Sequence, residues 1–192
     1  YVLHGGGSIM TKQAVLTIFL RAALAGCATQ TVQSPAYVGP TYTAASSNPF
    51  INSSREAVDT LMNGFDPGSL GKAPVLVATV VNINDLKNSA PLGRTLGEMY
   101  ASQLANKGLN VTEMKLRGDV YVREGTGELL LSREIREIAA QHAAGLVLVG
   151  TYSQASQYTY ISMKLVRTTD SRIMRSHDYA IPNDMDVRRM LK

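Results

Sequence analysis

Pro74-Val-Leu-Val-Ala-Thr-Val-Val81 and Leu146-Val-Leu-Val-Gly-Thr-Tyr152 are the two stretches that decide the fold. Both are continuous apolar runs rich in β-branched residues, with no polar position recurring every second residue. A strand that alternates has one wet face; a strand that does not is buried on both. Each run is therefore read as an interior strand of a sheet.

The flanks of these runs carry helix patterns. Before the first, Val58, Leu61, Met62 and Phe65 recur at i, i+3, i+4 and i+7, which predicts a helix opening at Ser53-Ser54 and closed by Asp66-Pro67-Gly68. After it, Ser89-Ala90-Pro91 reads as a cap with proline in the first turn. Leu92, Leu96, Met99, Tyr100 and Leu104 follow as an apolar stripe that stops near Lys107-Gly108. Residues 109–115 alternate as a strand with one wetter face. Residues 132–142 read as a helix with Ile135, Ile138 and Ala139 inward, and Gly145 stands where a left-handed cap is expected.

Beyond the second run, residues 158–168 alternate, with Ile161, Met163 and Leu165 on one side and Tyr160, Ser162 and Lys164 on the other. A two-residue turn at Thr169-Asp170 or Asp170-Ser171 returns the chain as a strand over 173–181. The predicted class is α/β (α+β): a mixed sheet of about five strands in the order β-α-β-α-β-β-β, preceded by an N-terminal helix, with the helices packed on one face. The first three strands need helical crossovers and the last three can be hairpins.

Upstream of the folded part, the 192-residue chain changes character. A short cationic start after Met10, an apolar run interrupted by Arg21, and a small-residue exit have the layout of a secretory signal over residues 1–26, with residues 1–9 upstream of Met10. Leu24, Ala25 and Gly26 then precede Cys27, the only cysteine in the sequence. The four residues look like the lipobox of bacterial lipoproteins, which implies lipidation of Cys27 and an anchor in the outer membrane. Several buried acyl chains, at about 0.8 kcal/mol per methylene, hold a protein there. The 23 residues 28–50 carry no charge and hold Pro35, Pro40 and Pro49. They read as a flexible tether, 27–51 with the cysteine, ahead of a domain over 52–192; stretched, it would reach about 75 Å.

Charge and motif content exclude several classes. The net charge is +4, and removing Lys12 and Arg21 leaves 17 Lys and Arg against 15 Asp and Glu. That is too even for a nucleic-acid surface. His142 sits at a helix end, where a structural role suffices, and His177 and Asp178 are strand neighbours whose side chains face opposite sides. Gly125 and Gly127 lack the third glycine and the strand-helix context of a phosphate loop. No catalytic residue, cofactor site or metal site is expected, and the chain is read as not an enzyme.

Three segments carry a family resemblance. They are the 74–81 run with its following helix from Gly93; Gly125-Thr-Gly127-Glu128-Leu-Leu-Leu-Ser132-Arg133-Glu134; and Ala143-Ala-Gly145-Leu-Val-Leu-Val-Gly150-Thr151-Tyr152. Together they resemble the FlgO family of outer-membrane lipoproteins of bacterial flagella, over residues 72–182. More distantly the layout is similar to the TolB N-terminal domain, the CsgG family and LpoB-type lipoproteins. The FlgO resemblance implies a non-catalytic structural role in the flagellar basal body, in an outer-membrane-associated ring needed for motility. It implies other ring or basal-body proteins as partners and self-association in the assembly. The alternative is an LpoB-like lipoprotein that activates a peptidoglycan synthase. Candidate interface residues are Arg133, Glu134, Arg136 and Glu137, whose mixed signs are self-complementary, with Tyr158 and Tyr160.

Overall fold

The structure, a computed structural model, describes residues 39–86, 89–114, 121–123, 129–131 and 133–192. The signal, Leu24, Ala25, Gly26, Cys27, the tether to residue 38, Gly125, Gly127 and Ser132 lie outside the described residues. Residues 41–192 form a compact unit of their own. In chain order its elements are α1 (Tyr42–Ser46), α2 (Pro49–Leu61), a 3-10 turn (Pro67–Leu70), β1 (Val75–Ala78), β2 (Val81–Asn82), α3 (Pro91–Asn106), β3 (Val111–Met114), β4 (Tyr121–Arg123), β5 (Leu129–Leu131), α4 (Arg133–Gln141), β6 (Leu146–Gln154), β7 (Tyr158–Arg167), β8 (Ile173–Pro182) and α5 (Met185–Met190).

The main sheet has six strands, running β3-β1-β6-β7-β8 with the short β2 beside β6. β1 is parallel to both β3 and β6, while β6, β7 and β8 are antiparallel hairpin neighbours. This is the mixed α+β sheet that the pattern predicts. β4 and β5 form a separate two-stranded antiparallel ribbon.

The interior strands are buried on both faces, as their runs require. On the first face Val75, Val77, Leu146, Leu148, Ile161, Met163, Leu165 and Ile181 pack under α2, α3 and α5. On the second face Leu76, Ala78, Val147, Val149 and Val166 pack under Ile135 and Ala139 of α4. The helices thus do not all share one face as expected. The strand order gives the reason. From β1 to β3 the chain moves one way across the sheet, and from β3 to β6 it moves back past β1. Two right-handed crossovers in opposite directions place their helices on opposite faces.

Local chemistry shifts several boundaries. α2 begins at Pro49 rather than at the serines, because Asn48 caps it: its side chain accepts from the Phe50 amide at 2.9 Å. Ser53 and Ser54 instead donate back to the Phe50 carbonyl inside the helix, at 3.0 and 2.9 Å. With α1, this makes residues 42–50 largely helical, where the charge-free composition predicts a continuing tether.

The 74–81 run is broken at Val80. Its amide donates to the Gly93 carbonyl at 3.1 Å, and its carbonyl accepts the Ser89 hydroxyl at 2.7 Å. Ser89 is thereby drawn away from capping, and the N-cap of α3 is Ala90 without a side-chain bond. After α4 the left-handed residue is Ala143, with φ 49°, not Gly145. The turn between β7 and β8 takes the five residues 168–172, with Ser171 left-handed and the Asp170 carboxylate accepting from Nε and Nη2 of Arg167, at 2.9 and 2.7 Å.

α2 and α3 are tied at their exposed rims. The Asp59 carboxylate accepts from Lys107 at 2.7 Å and from Gln103 at 2.8 Å. Those two bonds hold it below the usual carboxylate range. α5 carries a signal the sequence reading passed over. Asp184 accepts from the Val187 amide at 2.8 Å, and Val187 is buried with Met190 and Leu191 packed beside it.

Candidate interaction surface

α4 presents the candidate charged face to solvent because its apolar side is fully used. Ile135 and Ala139 are buried and Ile138 is half-buried, so Arg133, Arg136 and Glu137 point away from the sheet. Arg133 Nε donates to Glu137 Oε1 at 2.7 Å, with both side chains mostly exposed. An exposed i,i+4 pair adds only a few tenths of a kcal/mol. Glu134 belongs to the same helix, and its side chain lies outside what the structure describes.

The tyrosines divide. Tyr152 is buried on the first face, where its hydroxyl accepts from the Ala90 amide at 3.3 Å. Tyr158 and Tyr160 remain 47% and 55% exposed on β7, on the side opposite Ile161. The alternation of β7 makes this division, since its odd positions 159–165 are buried and the even ones from Tyr158 to Lys164 are not.

Beside Tyr160 the second face of the sheet is open among the described residues. A groove of about 570 Å³ is floored by Thr151, Ser153, Tyr160, Ser162, Asp178 and Ala180, with Ile83 at its side. Its lining sets several hydroxyl groups and the Asp178 carboxylate among apolar groups. The readable signal was the wet side of the 158–168 run; the contribution of β6 and β8 needed the registers Thr151↔Ser162 and Ser162↔Asp178.

The remaining polar chemistry serves the scaffold. His177 stacks on Tyr179 with ring centroids 6.1 Å apart. Asp178 turns to the groove, so the two neighbours do face opposite sides. Tyr100 and Tyr179 share a 2.6 Å hydroxyl–hydroxyl bond across the first face. Burial pushes the Tyr100 hydroxyl well above the usual tyrosine range and raises Tyr179 as well. Asn183 is a buried clasp: its side chain accepts from the Thr159 hydroxyl and donates to the Ala155 carbonyl, both at 2.7 Å. Among the described residues no helix is long and apolar enough to cross a membrane.

Residues 55–186 match the FlgO protein family. No curated protein matches the chain. Among solved structures, the LpoB C-terminal domain from Salmonella enterica is 16% identical, over 68% of this chain and 97% of that one, with a TM-score of 0.48. The LpoB C-terminal domain from Escherichia coli is 18% identical over 69% and 98%, with a TM-score of 0.47. A PelC dodecamer from Paraburkholderia phytofirmans is 14% identical over 58% and 73%, with a TM-score of 0.42. No function follows from likenesses this distant.

Proposed function

The chain belongs to the FlgO family, and from that premise we propose that it is a structural, non-enzymatic lipoprotein of the flagellar basal body. It contributes to a ring at the outer membrane that motility needs. Cys27 carries the lipid, Leu24, Ala25 and Gly26 direct its processing, and the stretch after the cysteine, read as a tether over 27–51, links the anchor to the domain. Family membership supports the coarser role, an accessory lipoprotein of the cell envelope.

The single observation that carries the reading is the extent of the family match. It runs from within α2 to the start of α5, the whole of the main sheet and its helices. Several polar groups of that unit are engaged in caps and clasps, such as Asn48, Asp184 and Asn183, which suits a scaffold part. Arg133, Glu134, Arg136, Glu137, Tyr158 and Tyr160 are the residues proposed to meet neighbouring subunits or other basal-body proteins.

A clean deletion tests the proposal. Cells without the protein should swim slowly or not at all, and images of their isolated basal bodies should lack density at the outer membrane. Unchanged swimming and unchanged basal bodies would refute it. Capture of a peptidoglycan-synthase domain, with motility intact, would put the synthase-activator reading in its place.

A further inference from the structure

β8 ends the main sheet. It pairs with β7 along one edge, and among the described residues no strand pairs with the other. The phase of the ladder follows from one bond: the Asn183 amide donates to the Gln157 carbonyl at 2.8 Å, in line with the register Tyr158↔Pro182. Hydrogen-bonded pairs alternate in an antiparallel ladder. Arg175, His177, Tyr179 and Ile181 therefore turn their backbone groups toward β7, and Ser176, Asp178 and Ala180 turn theirs outward; Met174 lies at the register shift, opposite Leu165 and Val166.

The guarding devices are gathered at the start of the strand, where the ladder shifts register between Leu165 and Val166, opposite Met174, and they leave Ser176 to Ala180 regular. Arg175 carries its guanidinium aside to the Gly64 carbonyl, at 3.2 Å. No proline interrupts the strand before Pro182 at its end. Ile173 and Met174 are 51% and 39% exposed at its start.

We propose that β8 is a self-pairing edge, on which β8 of a second copy lies antiparallel about a two-fold axis at His177. The charges choose the occupant and the register. Opposed residues of an antiparallel pair share a face, so a two-fold pairing centres on a single residue. Centred on Arg175 or on Asp178, it opposes two like charges. Centred on Ser176, it sets Arg175 against His177 and Asp178 against Met174. Centred on His177, it sets the Ser176 hydroxyl against the Asp178 carboxylate, twice, and Met174 against Ala180. Arg175 then faces the ring of Tyr179, and two imidazoles meet on the axis. This register alone opposes no like charges and leaves no charge against an aliphatic chain. The contact is independent of the flagellar reading, and it is isologous where a ring contact is heterologous.

Single cysteines in the full chain carrying Cys27→Ser read the register directly. At a non-hydrogen-bonded pair the two Cβ atoms lie about 4.5–5.5 Å apart, so His177→Cys should oxidise to a disulfide-linked dimer. Ser176→Cys and Asp178→Cys, each alone, should stay largely monomeric, because each then sits two residues from its own copy; mixed, they should cross-link. Without any added cysteine, the Ser176 and Asp178 amides should exchange about tenfold more slowly as protein concentration rises through the dimerisation range. Exchange that is fast at every concentration overturns the proposal. So does exchange that is slow at every dilution, which would mean the edge is covered within one chain. Faster cross-linking at 176 or 178 alone, or protection that appears only after basal-body material is added, would equally overturn it, the last in favour of a foreign strand.

Discussion

A Cβ added to Gly93 would stand 1.8 Å from the Val80 carbonyl oxygen and 2.4 Å from the Ser89 hydroxyl, so this one hydrogen side chain is what lets the first turn of α3 rest on the strand. Gly93→Ala should destabilise the fold by about 2–3 kcal/mol or more, read from a urea midpoint at unchanged slope. Asn183→Ala should cost about 2–4 kcal/mol, since it leaves the buried Thr159 hydroxyl and the Ala155 carbonyl unpaired. The buried Tyr100–Tyr179 pair predicts an alkaline limit. Both hydroxyls hold their protons more tightly folded than unfolded, because burial disfavours the phenolate. Their contribution is fully present below about pH 10 and is lost as the pH rises from there toward the folded values. The urea midpoint should therefore fall above about pH 10, and the double variant Tyr100→Phe, Tyr179→Phe should flatten that fall. An equal fall in both proteins would assign it to other tyrosines. At this scale the sequence was partly legible. Gly108 closes α3 with φ 82° as its position foretold, whereas Ser89, Ser53 and Ser54 looked like caps and were claimed by carbonyls that lie elsewhere.

Among elements, α4 divides most cleanly into a packed side and a presented side. Ile135→Ala should cost about 2–5 kcal/mol, because Ile135 is fully buried against Leu76, Val147 and their neighbours. Arg136→Ser should change stability by no more than about 0.5 kcal/mol, as expected of an exposed residue. If α4 meets a neighbouring subunit, combining Arg136→Ser with Glu137→Ser should leave the urea midpoint nearly unchanged and still reduce recovery of the protein with isolated basal bodies. Normal recovery would remove α4 from the interface. The core residues Val75, Val77, Val80, Leu96, Leu104, Leu146, Leu148, Ile161, Met163 and Leu165 were all legible, and all are buried. Ile138, placed with them from its spacing, is only half-buried at the margin of α4. The existence of α2, β1, α3, β3, α4, β6, β7 and β8 followed from periodicity, whereas α1, α5 and the β4–β5 ribbon did not, and ends depended on partners. The 74–81 run contains nothing that announces a break at Val80; the break exists because α3 folds back onto it.

For the whole molecule, Cys27→Ser should shift the protein out of the outer-membrane fraction, and its persistence there at the normal level would contradict the anchor. Periodicity and apolar composition, by themselves, determined that two strands lie inside a mixed sheet, that helical crossovers link the first three strands, and that hairpins link the last three. They read the two runs as buried on both faces, yet the helices were expected on one face only, and the cover supplied by α4 on the other was not foreseen. Which helix supplies which cover was decided only in three dimensions. The order β3-β1-β6 arises from pairings between residues far apart in the chain, Val75↔Val111 and Val75↔Leu146, and no local pattern encodes which neighbour lies on which side. Once that order is set, the right-handed rule sends α3 to one face and α4 to the other. Among the described residues, the open groove by Tyr160 and the unpaired edge of β8 are decided in the same way. Both are what remains of the sheet after its helices have been placed.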